Sequence, residues 1–91
     1  MSRWKDKELK NIKYLFYAVS DENIRQLEKW GVQDHSPFIW ITALTEEVGE
    51  LSEATLKQHF GGSNHGKKQV YNEAIQVATL ALKIAEMNME E

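Results

Sequence analysis

Apolar residues recur along the chain at intervals of three and four, the spacing of one face of an α-helix, and the pattern predicts helix throughout. A first segment from about Trp4 to Val19 carries Leu9, Ile12, Leu15, Phe16 and Val19 at that spacing. Ser20-Asp21 is a candidate N-cap for a second segment ending near Trp30, so this region reads either as two helices or as one long helix with a kink. Trp30-Gly31 ends it, and Val32 to His35 form a connector. Ser36 is a favourable N-cap, and Pro37 sits where the first helical turn tolerates it. That helix is expected to reach His59 or Phe60, with Gly61-Gly62 as its stop. Gly61 to Gly66, with Ser63, Asn64 and His65 between, reads as a loop. A last helix is expected from about Lys67 to Met89, fraying over Asn88 to Glu91.

The single proline, the few glycines and the wealth of helix formers fit an all-α chain without repeats. At 91 residues it is expected to be one domain. A core this small is marginal alone, and with no cysteine to staple it a homodimer or homotetramer is expected. The missing cysteines, the charged N-terminus without a signal-like apolar stretch, and the short apolar runs point to a cytoplasmic protein with no membrane partner. The net charge of −3, with both signs interspersed, argues against nucleic acid as a partner. It leaves room for an anionic small molecule if a divalent cation inverts the local field.

Placing side chains around the two long helices at 100° per residue adds the chemistry. On the helix after Ser36, Trp40, Ala43, Leu44, Leu51 and Ala54 form an apolar stripe. Glu47 falls in its middle and Glu50 at its edge, while Glu46 and Glu53 turn toward the polar side. On the last helix Val70, Val77, Leu80, Ile84 and Met87 form the stripe, with Glu73 in the middle and Gln76 one turn on. An ionised carboxylate on an apolar face is costly unless a basic group, a proton or a metal offsets it. Surface placement or pairing with a cation would explain one such glutamate. Two, each with an oxygen-bearing partner three residues on, favour a hard cation, Mg²⁺ or Mn²⁺. His35, His59 and His65 show no ligand spacing, and His59 and His65 read as solvent-exposed.

Glu46-Glu47-Val48-Gly49-Glu50 followed by Glu73-Ala74-Ile75-Gln76 resembles the two-part motif, E-E-x-x-E then E-x-x-D, of the MazG-like all-α nucleoside triphosphate pyrophosphohydrolases. The stretch Trp30 to Pro37 resembles the segment before the first motif in phage-type and dCTPase-like members. The resemblance covers about residues 22 to 87, with the helix at about 4 to 19 preceding it. It implies a four-helix-type bundle completed by dimerisation or tetramerisation. It also implies Mg²⁺-dependent cleavage of a nucleoside triphosphate between the α- and β-phosphates, giving the monophosphate and pyrophosphate. Carried over by position, Glu47, Glu50 and Glu73 are metal ligands, and Gln76 stands where the family has aspartate. Trp30 and His35 match positions that contact base or sugar.

Glu46 is a candidate to orient or deprotonate water, or else a solvated surface charge. Arg25 and Lys29, one turn apart, either face the phosphates or pair with Glu28 and Asp21. Lys67 opens the last helix at a plausible phosphate-facing position, whereas Lys68 reads as solvated, and Trp30 is a better stacking residue than Trp40. Two other functions remain open: a silent nucleotide-binding protein, which the neutral Gln76 supports, and a structural helical interaction module.

Overall fold

The computed structural model describes residues 8–61 and 66–90. These residues form three helices and no strand: α1 (Ile12–Trp30), α2 (Pro37–Gly61) and α3 (Gly66–Met87). The chain is all-α, as expected. The expectations for Trp4 and for the loop residues Ser63, Asn64 and His65 fall outside the described residues. Residues 8–11 are not helical, so the first helix begins at Ile12 and leaves Leu9 outside it.

The choice left open at Ser20-Asp21 is resolved: α1 runs through both residues as one helix. Both side chains are exposed there, where water satisfies them and they need not compete for the helix backbone. At its far end the Gly31 N–H donates to the Leu27 carbonyl at 2.8 Å, with Gly31 at φ 72°, a conformation that costs a glycine little. At the start of α2 the Ser36 hydroxyl accepts from the Ile39 N–H at 3.4 Å, and the Ser36 carbonyl accepts from the Trp40 N–H at 3.2 Å. Ser36 therefore caps α2 as the sequence predicts.

α3 is the central helix. It packs against α2 over most of its length and against α1 over less, whereas α1 and α2 do not pack on each other. This explains why every residue from Glu73 to Leu80 is at least half-buried, although the sequence shows one apolar stripe there. Thr79 is buried against this double neighbourhood, and its hydroxyl donates to the Ile75 carbonyl at 2.8 Å.

α2 and α3 run antiparallel. A Cβ on Gly66 would lie 2.8 Å from the Gln58 Cβ, so the two helices meet closely where the chain turns between them. Farther along, Glu50 meets Glu73. Continuing that register puts Glu47 level with Gln76, Ala43 with Leu80, and Trp40 with Lys83.

Among the described residues only Ala54 and Thr79 are buried, while large apolar side chains such as Phe16, Phe38, Ile41 and Phe60 are exposed. The radius of gyration, 14.7 Å, exceeds the roughly 12 Å of a compact chain of this length. On α2 the apolar surface has a second stripe, Ile41, Leu44, Val48 and Leu51, with the three- and four-residue alternation of a coiled-coil seam. Ile41 and Val48 are 50% and 46% exposed. No described helix is long and apolar enough to cross a membrane.

Candidate functional site

Glu47 and Glu50 lie one turn apart on α2, and Glu73 faces them from α3. One carboxylate oxygen from each comes within 4.8 Å of the others. Glu47 and Glu73 are half-buried and Glu50 is exposed. The Oε2 atoms of Glu47 and Glu73 are both buried without a hydrogen-bond partner. A buried anionic oxygen with no donor is a costly arrangement, and a cation is one means of offsetting it.

The electrostatics agree with this reading. Burial pushes the Glu47 carboxyl above the ordinary glutamate range, and the charges of Glu50 and Glu73 add to the effect. Burial also raises Glu73, reinforced by Glu50 and partly opposed by its contact with Glu47. Both shifts run in the direction that a cation between the carboxylates would offset. The donor set of carboxylate oxygens, crowded and short of hydrogen bonds, fits a hard divalent ion.

Above the glutamates, α2, α3 and the end of α1 enclose a cavity of ≈ 340 Å³. Glu47, Gln76, Trp40 and Lys83 all line it, and the antiparallel register sets the Trp40–Lys83 level two helical turns along from the Glu47–Gln76 level. Arg25, Trp30 and His35 line it as well, so five candidate site residues, Glu47, Gln76, Arg25, Trp30 and His35, gather at one cavity. His35 is held there by a 2.7 Å hydrogen bond between its Nε2 and the Gln33 Oε1, and by an edge contact with the Trp40 ring at 5.9 Å. Trp30 is 53% exposed, with the Lys29 Nζ 4.8 Å and the Arg25 Cζ 5.8 Å from its ring centre.

Other expectations change. Arg25 pairs with neither Glu28 nor Asp21. Its guanidinium donates twice to Glu22, from Nε to Oε1 at 2.9 Å and from Nη2 to Oε2 at 2.8 Å, because that i,i−3 partner matches the planar fork. Arg25 holds the Glu22 carboxyl below its usual range against the opposing effect of burial. Glu46 is exposed and does not join the converging carboxylates. Lys67 is exposed and lines no part of the cavity, since about 13 Å of helix separates it from Gln76. Trp40, read as core, lies on the stripe and also forms cavity wall, with its indole N–H buried and unpaired. His59 is exposed as expected and rests its ring edge on Phe60.

Sequence reasoning missed Lys83. It is half-buried, its ammonium donates to the Gln26 Oε1, and burial pulls it below the ordinary lysine range while Glu22 opposes that shift. A signal existed: Lys83 follows Gln76 by two helical turns and so shares its face.

Comparison with protein-family models, with curated proteins and with solved structures gives no match for this chain.

Proposed function

We propose that this chain is a MazG-like, Mg²⁺-dependent pyrophosphohydrolase that converts a nucleoside triphosphate to the monophosphate and pyrophosphate. The observation that carries the reading is the convergence of Glu47, Glu50 and Glu73, with two buried oxygens left unpartnered, and with Glu47 also lining a cavity large enough for a nucleotide. Glu47, Glu50 and Glu73 would hold the metal, with the Gln76 amide oxygen beside Glu47 as a neutral fourth ligand. When bound, Mg²⁺ supplies neutralisation of phosphoryl charge and a water of lowered pKa.

The chain's own residues bind and orient. Trp30 lines the cavity with a half-exposed ring, His35 is fixed by Gln33 and Trp40, and the Trp40 and Ala43 side chains keep the wall apolar and limit water. The scarcity of buried residues and the α2 seam of Ile41, Leu44, Val48 and Leu51 support a working form of two or four copies, with α2 against a second copy.

Product analysis tests the reaction class. Incubation with a deoxynucleoside triphosphate and Mg²⁺ should yield the monophosphate and pyrophosphate in equal amounts. Diphosphate and orthophosphate would point to a different cleavage and contradict the proposal. The second reading, a silent nucleotide binder, rests on Gln76, which removes one negative charge from the ligand set. Nucleotide-induced thermal stabilisation without any product would favour it.

A further inference from the structure

A chain of polar side chains crosses from α1 to α3. Arg25 grips Glu22, Glu22 accepts from the Gln26 Nε2 at 2.7 Å, and the Gln26 Oε1 accepts from the Lys83 ammonium. The Glu22 carboxylate accepts only, so it fixes the orientation of the Gln26 amide and turns its carbonyl toward Lys83. Lys83 is thereby held in the cavity wall with N–H donors beyond the one given to Gln26. Level with it on α2, Trp40 lines the same cavity and carries a buried indole N–H without a partner. A lysine and an indole both donate, and neither accepts. About 15 Å of helix lies between Lys83 and Glu73. A triphosphate anchored at the glutamates would therefore extend its base toward the Trp40–Lys83 end.

Resting on the nucleotide reading above, we propose that Lys83 and Trp40 read the base, selecting one that turns a ring carbonyl oxygen toward them and disfavouring adenine. Guanine, cytosine, thymine and uracil each carry such an oxygen. Where the others project that oxygen, adenine carries an exocyclic amine, a donor set against donors, and its acceptors are ring nitrogens that do not project in the same place. Gln26, Glu22 and Arg25 act as positioning residues by holding Lys83 in place.

The test measures dissociation constants for dATP, dGTP, dCTP and dTTP with Ca²⁺, and kcat/KM for the same four with Mg²⁺. Native protein, Lys83→Met and Lys83→Gln are compared. In the native protein dATP should be the weakest of the four. Lys83→Met should weaken the favoured carbonyl-bearing nucleotide by about ten- to a hundredfold while changing dATP little. Lys83→Gln, which stays polar and offers both donor and acceptor, should narrow the preference even if the methionine variant folds poorly. A purely structural link between α1 and α3 would lower the melting temperature and weaken all four nucleotides alike, and that result would overturn the proposal. So would a native preference for dATP. Selective binding without turnover would sink the hydrolase reading and leave the base reading standing. Turnover with an unchanged preference in both variants would do the reverse, and no binding of any nucleotide would remove both.

Discussion

Glu47 on α2 and Glu73 on α3 each bury a carboxylate oxygen that has no hydrogen-bond partner, and these side chains approach each other closely enough to share one cation with Glu50. Neither residue is where a folding chain gains stability from a charge. Each occupies a position on an apolar stripe that a leucine would fill, and the register of the antiparallel pair brings the two together.

The raised carboxyls give a pH dependence whose direction follows from linkage. In the folded, metal-free chain Glu47 and Glu73 bind protons more readily than in the unfolded chain. Their contribution to stability is therefore full below the unfolded glutamate value and is lost as pH rises through the raised folded values. Glu22, held low by Arg25, acts the other way and loses its contribution as pH falls through its folded value. Thermal melts with chelator should show Glu47→Gln more stable than the native chain at neutral pH, by about 4–8 °C for each kcal/mol of repulsion relieved, with the gap closing in acid. A destabilised variant at neutral pH would contradict the picture of a strained cluster.

Mg²⁺ should reverse the effect. Bound to the folded chain alone, it raises the melting temperature at neutral pH, and less in acid, where the carboxylates are protonated. Glu73→Gln should lose most of that metal-induced rise. Equal Mg²⁺ shifts in both proteins would place the ion elsewhere.

Gln76 lines the same cavity as Glu47, and in the proposed site its amide oxygen would serve the metal without adding charge. Placing a carboxylate there with Gln76→Asp should lower the Mg²⁺ concentration giving half-maximal stabilisation by about tenfold, because affinity for hard cations follows ligand charge. Calorimetric titration with Mg²⁺ reads this directly, and unchanged affinity would remove Gln76 from the ligand set.

Much of this was legible in the sequence, and what escaped has physical reasons. Ser36-Pro37 marked the start of α2 because cap chemistry is local, and the stripes around Glu47 and Glu73 were readable because helical period fixes faces. The unbroken α1 was not readable, since Ser20 and Asp21 favour caps yet are tolerated inside a helix where their side chains face water. Lys83 escaped because a lysine at the margin of a stripe ordinarily sends its ammonium to water along an apolar stem. Here Gln26, from another helix, catches it. The pairing of Arg25 with Glu22 rather than Asp21 or Glu28 was a choice among acidic residues on one helix that spacing alone does not settle.

The α2 seam predicts an assembly. Val48→Lys places a charge among Ile41, Leu44 and Leu51, and should shift the chain to a smaller species in sedimentation while lowering its melting temperature. An unchanged sedimentation profile would show that a different face mediates association.

Pyrophosphate release from the canonical nucleoside and deoxynucleoside triphosphates, in Mg²⁺, Mn²⁺ or EDTA, tests the central claim most directly, with Glu47→Gln, Glu73→Gln and Glu46→Gln assayed beside the native chain. Release should depend on the metal, vanish in EDTA, and fall by at least about a hundredfold in Glu47→Gln and Glu73→Gln, with a smaller loss for the exposed Glu46. Absence of release from every nucleotide with either metal, or release that persists in both Glu47→Gln and Glu73→Gln, would contradict it.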